Sequence, residues 1–194
     1  RLDEGDIHGL EQGPAINQVR SDMDSLHNLV IKSLEQLSVT SHPPRAFVMN
    51  TGPNFQGDLS QFLEPGVHIT FGDVVDCDAP RNFGILSGDD VMFRLSTELP
   101  DVSHSIFAMG GAPGLMTTSD SSGELIPLWN KNMGFSGHHS DHFDVTGGIF
   151  LKVERAADIS EFVENVWLVD GVHPERIIEI VEQGHTIGTR IVSP

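Results

Sequence analysis

Apolar residues recur every three or four positions through residues 16–37 of the chain. They are Ile16, Val19, Met23, Leu26, Val30, Leu34 and Leu37. Because this spacing places them on one side of an α-helix, the pattern predicts a long amphipathic helix. His42, Pro43 and Pro44 follow. A residue before proline is restricted to extended conformations, so we expect these residues to stop the helix.

Shorter apolar runs along the rest of the chain predict strands that alternate with helices. The predicted strands are residues 46–49, 67–75 (interrupted at Gly72 and Asp73), 104–108, 163–169 and 189–192. The predicted helices are residues 58–63, 89–99, 148–159 and 174–183. The polar residues 117–144 are predicted to form a flexible flap. This alternation indicates an α/β fold, with a mostly parallel sheet sandwiched between helices.

Length and charge restrict the class of protein. The chain has 194 residues, 38% of them hydrophobic, which suits one α/β domain. Its net charge of -17 makes a surface that repels nucleic acid and anionic lipid. No apolar run approaches the roughly 18 residues of a membrane span. We therefore expect a soluble, cytoplasmic protein without nucleic-acid or membrane partners. Cys77 is its only cysteine, which excludes an internal disulfide.

The segment from Asp144 to Lys152 has the features of a phosphate-binding helix start. Thr146 is a natural N-cap, and Gly147 and Gly148 let backbone N–H groups approach an anion at the positive end of the helix dipole. Lys152 lies one turn after Gly148, and helical side chains lean toward the N-terminus, so its ammonium reaches the same anion. Alternatively, the glycines form a tight turn and Lys152 is an exposed surface residue; on these residues alone, the two interpretations are evenly matched.

Two further segments combine glycine with carboxylates close to the end of a strand, where ligands bind in α/β folds. Ser87 and Asp89 stand at a strand-to-helix junction. Either residue would cap the helix. Alternatively, a carboxylate there would orient a lysine or hold magnesium. Gly72 and Asp73 interrupt another strand. The backbone of Gly72 would meet a substrate phosphate, although a β-bulge explains this glycine equally well.

Taken in order, these motifs resemble the amino-acid kinase superfamily and, within it, the isopentenyl phosphate kinases. The motifs are Gly-Asp-Val-Val at residues 72–75, Ser-Gly-Asp-Asp at 87–90, Asp-Val-Thr-Gly-Gly-x-x-x-Lys at 144–152 and Gly-Thr-Arg at 188–190. The long first helix, with its methionine and leucine stripe, also fits. The resemblance covers nearly the whole chain.

The resemblance implies a fold and a set of site residues. It implies one amino-acid kinase-like domain lacking its first strands, with residues 1–100 as the remainder of the substrate-binding half and 101–194 as the nucleotide-binding half. The implied nucleotide-binding residues are Gly111, Thr146, Gly147, Gly148 and Lys152. The implied substrate-binding residues are Gly72, Asp73 and Gly88. The implied catalytic residues are Lys152 and Asp89, of which Asp89 would organise the catalytic lysines.

The resemblance also implies an activity. This is the ATP- and Mg²⁺-dependent phosphorylation of isopentenyl phosphate to isopentenyl diphosphate in isoprenoid biosynthesis, carried out by a homodimer. In the family, a segment before the long helix supplies a lysine and a histidine that holds the substrate phosphate. Residues 1–12 contain no lysine, and His8 is too isolated to replace that histidine, so we expect this chain alone to transfer phosphate poorly. The alternatives are a fosfomycin-type or acetylglutamate-type kinase and a non-catalytic nucleotide-binding remnant.

A cluster of histidines and aspartates lies in the predicted flap. It consists of His138, His139, Asp141, His142 and Asp144. Imidazole and carboxylate groups bind zinc and other transition metals. Since such a run in a very acidic protein is usually solvated loop, we assign no metal site to it.

Overall fold

The first helix ends earlier than the hydrophobic pattern predicts. In the computed structural model, which describes residues 12–118, 123–133 and 148–194, helix α1 spans Gly13–Ser33. Strand β1 (Val39–Ser41) follows it, before the prolines that were expected to stop the helix. The long helix is confirmed, but its predicted end is wrong. Residues 39–41 pair with a distant strand, and that pairing overrides the local periodicity.

The described residues divide into two compact units, one up to Leu95 and the other from Ser96 onward. The assignment of substrate to the first half of the chain and nucleotide to the second stays a prediction. Among the described helices, none is both long enough and apolar enough to cross a lipid bilayer.

The first unit contains short strands in three two-stranded sheets. After β1 come β2 (Val48–Met49), β3 (Gln56–Gly57), β4 (Val67–Ile69), β5 (Asp73–Asp76) and β6 (Phe83–Leu86). Helix α2 (Gly88–Glu98) begins in this unit. Strands β1 and β4 are parallel, whereas the pairs β2–β3 and β5–β6 are antiparallel.

Three sequence predictions in this unit need correction. The interruption predicted at Gly72 and Asp73 in the strand of residues 67–75 instead falls at residues 70–72, and Asp73 begins β5. The strand predicted over residues 46–49 shrinks to β2, since a 3-10 turn at Pro44–Ala46 precedes it. The helix predicted over residues 58–63 is a single 3-10 turn at Ser60–Phe62.

The second unit is built on one four-stranded sheet with the order β7–β9–β10–β8. Its strands are β7 (His104–Met109), β8 (Leu128–Trp129), β9 (Asn165–Asp170) and β10 (Thr189–Ile191). Its helices are α3 (Gly148–Ile159) and α4 (Glu175–Gln183). The sequence placed α3 and located α4, β7, β9 and β10 to within two residues. It missed β8, which lies in the stretch predicted to be a flap.

Helices cover both faces of this sheet. Trp167 and Val169 of β9 form a buried cluster with Ile180 of α4. Side chains alternate along a strand, so Val166 and Leu168 point to the opposite face. Both are fully buried, and α3 packs against β7 and β9. The sandwiched α/β class is therefore confirmed, although the pairing is mixed: β7–β9 and β8–β10 are parallel, whereas β9–β10 is antiparallel.

Thr189 of β10 ties the segment after β7 to the sheet. Its fully buried hydroxyl accepts a hydrogen bond from the Leu115 N–H (2.8 Å) and donates one to the Ile126 carbonyl (2.6 Å). Gly114 lies so close that a Cβ there would come within 2.5 Å of Thr189 Oγ1. This contact holds the segment that leaves the end of β7.

We expect Thr189→Val to lower the free energy of unfolding by about 1–3 kcal/mol, because it leaves a buried N–H and a buried carbonyl without partners. Thr189→Ser keeps the hydroxyl and should recover most of the loss. Thr40→Val on exposed β1 is the control and should change stability by less than about 0.5 kcal/mol. Denaturant unfolding measures all three, and equal stability of Thr189→Val and wild type would contradict this role of the hydroxyl.

Candidate functional site

The carboxyl ends of β7 and β9 lie side by side. Met109 and Asp170, the last residues of these parallel strands, are register partners, and the Gly171 N–H donates to the Met109 carbonyl at 2.6 Å. Gly110 and Gly111 follow Met109 and are exposed. A Cβ on either would meet no atom within 4 Å, and Gly111 has a φ of 78°. Bare backbone is therefore open to a ligand at this edge of the sheet.

The start of α3 returns to the same edge. A five-residue turn joins the end of α3 at Ile159 to the beginning of β9 at Asn165, so helix and strand run antiparallel. The 12 residues of α3 span about 18 Å and the six residues of β9 about 20 Å. Because the two lengths match, Gly148 lies toward the carboxyl edge that Gly110 and Gly111 occupy.

We therefore expect Gly148 and Lys152 to lie toward this edge, with Gly111. Gly148 has a φ of 53°, a left-handed conformation that favours glycine. Lys152 is half-buried in the next turn of α3, and helical side chains generally lean toward the helix start. The predicted nucleotide-binding residues Thr146 and Gly147 lie outside the described residues. The arrangement joins open backbone, a positive helix end and an ammonium group, which suits a polyphosphate.

The sequence analysis missed Asp170, the carboxylate at this edge. Its Oδ1 accepts a hydrogen bond from the Val172 N–H at 3.0 Å, which shapes the turn between β9 and α4. The signal was present, because Asp170 and Gly171 stand directly after the predicted strand of residues 163–169. An aspartate in that position is a candidate for contact with a nucleotide or its metal ion.

In the first unit, two of the predicted substrate-binding residues approach closely. A Cβ on Gly72 would come within 2.8 Å of the Leu86 carbonyl oxygen and 3.0 Å of the Gly88 nitrogen. The backbone before β5 therefore packs directly on the junction of β6 and α2. This approach accounts for the glycine at position 72 by packing, and contact with a substrate phosphate stays a prediction.

Ser87 and Asp89 occupy the start of α2. Ser87 Oγ accepts a hydrogen bond from the Asp89 N–H at 3.2 Å, so Ser87 caps the helix, as one interpretation of this segment predicted. Asp89 is half-buried in the first turn, where the helix dipole favours a negative charge. Asp89 belongs to the first unit and Lys152 to the second. The predicted action of Asp89 on catalytic lysines stays a prediction.

Asp73 is held inside the first unit by an arginine that the sequence analysis missed. Its side chain has no exposed surface, Oδ2 accepts from Arg45 Nη1 at 2.6 Å, and Oδ1 accepts from the Val74 N–H at 2.8 Å. Arg45 Nη2 donates to both carboxylate oxygens of Asp24 in α1, at 2.5 Å each. The hydrogen bond to Asp24 is the largest cause that raises the pKa of Arg45.

His27 of α1 is a neutral neighbour of this cluster. Burial is the largest cause that lowers its pKa, with Asp24 opposing and Arg45 reinforcing the effect. Its Nε2 lies 2.5 Å from Ser41 Oγ, and its ring packs on Phe71 with centroids 4.7 Å apart. His27 therefore contributes packing beside Gly72 without adding charge.

The histidine and aspartate cluster of residues 138–144 lies outside the described residues. Among residues 12–118, 123–133 and 148–194, no group of three or more histidine, cysteine, aspartate or glutamate side chains is arranged to hold a metal ion.

Solved structures of isopentenyl phosphate kinases have a similar fold. One, in a substrate complex, matches with a TM-score of 0.71 and 25% identity over 91% of this chain and 70% of that chain. The T. acidophilum enzyme in its product complex matches at 0.70 and 24%, with the same coverage. A third matches at 0.75 and 18% identity, over 99% of this chain and 75% of that chain. No protein-family model and no curated protein sequence matches.

These matches confirm the amino-acid kinase-like fold. The match at 25% identity supports a kinase of the amino-acid kinase superfamily, as the motifs implied.

We expect Gly72→Ala to lower the free energy of unfolding by about 1–3 kcal/mol, because the new methyl group would overlap backbone atoms that cannot move independently. Gly110→Ala is the matched control: space is open there, so the change should stay within about 0.5 kcal/mol. Denaturant unfolding of both variants measures the difference. Wild-type stability in Gly72→Ala would show that the two backbones are not packed so closely.

Proposed function

We propose that this protein is a kinase of the amino-acid kinase superfamily that transfers the γ-phosphoryl group of ATP to isopentenyl phosphate. The observation that carries the proposal is the parallel register of β7 and β9, from which we infer that Gly111, Gly148 and Lys152 lie toward one edge of the second unit's sheet. The choice of acceptor is supported by the likeness to three isopentenyl phosphate kinases. The proposal implies that ATP is the phosphoryl donor and that Mg²⁺ accompanies it.

Phosphoryl transfer requires that the donor and acceptor phosphates are positioned and that the negative charge on the transferred group is stabilised. A phosphate oxygen of the acceptor forms the new P–O bond, and the bond between the γ-phosphorus and the β–γ bridging oxygen breaks, which releases ADP. The amides at the start of α3 and the Lys152 ammonium stabilise negative charge on the transferred group. No covalent enzyme intermediate is required.

The residues at this edge fit a nucleotide that arrives with Mg²⁺. This ion usually binds through substrate phosphates and one or two carboxylates, and it neutralises phosphate charge when bound. Asp170 supplies a carboxylate at the edge. Lys152 and the open glycine backbone bind the phosphates, and Asp170 orients the turn that follows β9.

The first unit favours an apolar acceptor over a polar acid. A kinase of a small carboxylic acid needs a cationic side chain for the carboxylate of its substrate. The four arginines in the described part of this unit all have partners: Arg45 pairs with Asp24 and Asp73, Arg20 pairs with Asp76, Arg81 donates to Thr51 Oγ1 and Arg94 donates to the Phe55 carbonyl. The half-buried apolar stripe of α1, formed by Ile16, Val19 and Met23, suits a prenyl chain instead.

Two further parts of the account stay predictions. Leu26, Leu29 and Val30 are exposed on α1, and such an apolar surface suits the predicted homodimer. The cytoplasmic location also stays a prediction.

We expect Lys152→Ala to lower kcat for ATP-dependent phosphorylation of isopentenyl phosphate by about 10²–10³-fold, the usual loss when one preorganised charge stabiliser is removed. Lys32→Ala, an exposed lysine in the last turn of α1, is the control and should retain wild-type turnover. Phosphorus NMR follows the diphosphate product directly. Near-normal turnover in Lys152→Ala would contradict its assigned role.

Calorimetry with ATP separates the proposal from its alternatives. ATP binding with turnover of isopentenyl phosphate supports the kinase. ATP binding without turnover of any small phosphorylated or carboxylic acid supports the non-catalytic remnant. Absence of ATP binding would overturn the nucleotide site itself.

A further inference from the structure

The Asp73 carboxylate requires a cation inside the first unit. Its side chain is completely buried, and an unpaired charge is strongly disfavoured in such an environment. Arg45 Nη1, at 2.6 Å, supplies that cation. Removing the arginine would leave the carboxylate charged and buried, or force the segment that carries it to move.

A single guanidinium joins three elements of the chain. Arg45 stands in the 3-10 turn Pro44–Ala46, where Pro43 and Pro44 restrict the backbone. One of its amino groups bonds Asp73 at the start of β5, and the other bonds both oxygens of Asp24 in α1. The fork of an arginine permits this double contact, whereas a lysine ammonium cannot reproduce it.

The contact with Asp73 controls the position of Gly72. Gly72 immediately precedes Asp73, and a Cβ added to it would come within 2.8 Å of the Leu86 carbonyl oxygen and 3.0 Å of the Gly88 nitrogen. Because the side chain of Asp73 is anchored to Arg45, the Gly72 backbone is held against the β6–α2 junction. Gly72 and Gly88 are the residues that would contact the acceptor phosphate.

We infer that Arg45 is a positioning residue for the phosphate-acceptor site: through Asp73 it holds the Gly72 backbone beside Gly88. This inference rests on the proposed function for the identity of the acceptor. Arg45 itself is engaged by Asp24 and Asp73, so it acts through these carboxylates rather than by contact with the substrate.

The test compares Arg45→Lys with Arg20→Lys. Arg20 donates to the Val74 carbonyl and pairs with Asp76, so it also joins α1 to β5, but beyond the Gly72–Asp73 segment. The first readout is the set of Gly72 and Gly88 amide resonances in ¹H–¹⁵N spectra of the protein without ligand. The second is the Kd for isopentenyl phosphate and for ATP, measured by calorimetry.

We expect Arg45→Lys to shift both glycine resonances and to raise the Kd for isopentenyl phosphate by about 10–100-fold, with an unchanged Kd for ATP. Arg20→Lys should leave the glycine resonances and both constants as in wild type. The double variant Arg45→Met/Asp73→Asn removes cation and buried charge together. It should fold like wild type yet bind the acceptor as weakly as Arg45→Lys, which separates positioning from stability.

Unchanged glycine resonances in Arg45→Lys, or an unchanged Kd for isopentenyl phosphate in that variant, would overturn the inference. If wild type itself fails to bind isopentenyl phosphate, the proposed substrate is wrong. The resonances of the ligand-free variants then decide the positioning role alone: a shift confined to Arg45→Lys supports it, and equal spectra refute it.

Discussion

The parallel pairing of β7 with β9 is the constraint on which the second unit depends. Six residues of each strand pair in register, so both strands end at the same edge. Parallel neighbours cannot be joined by a tight turn and need a crossover, which here includes α3. The helix leads into β9 with a matching length, and its start returns to the carboxyl edge. Strand pairing together with the length of α3 thus directs Gly111 and Gly148 toward one edge, although they are far apart in the chain.

The buried Asp73 carboxylate has a comparable role in the first unit. It links the position of Gly72 to Arg45 and, through Arg45, to α1. Under the proposed function, backbone groups in both units bind phosphate, together with Lys152 in the second unit. This is a reasonable solution for a chain with 28 acidic and 11 basic residues, because amides bind anions without adding scarce cations.

Local sequence patterns correctly predicted the elements that depend only on residues close together in the chain. Helix α3 was placed correctly because glycines precede a clear amphipathic repeat that ends at Ile159. The residues that sequence analysis missed depend on distant partners. Strand β1 extends because it pairs with β4, and Leu128–Trp129 is a strand because β10 lies beside it. The role of Arg45 follows from its contacts with Asp24 and Asp73 in other elements, which no spacing of residues reveals.

The central claim is that the carboxyl edge of the four-stranded sheet binds the phosphates of a nucleotide. The most direct measurement is an NMR titration of the ¹⁵N-labelled protein with a non-hydrolysable ATP analogue and Mg²⁺. The account predicts that the amide resonances of Gly111 and Gly148 shift together and saturate at one Kd. Saturable binding that leaves both resonances unmoved would contradict it.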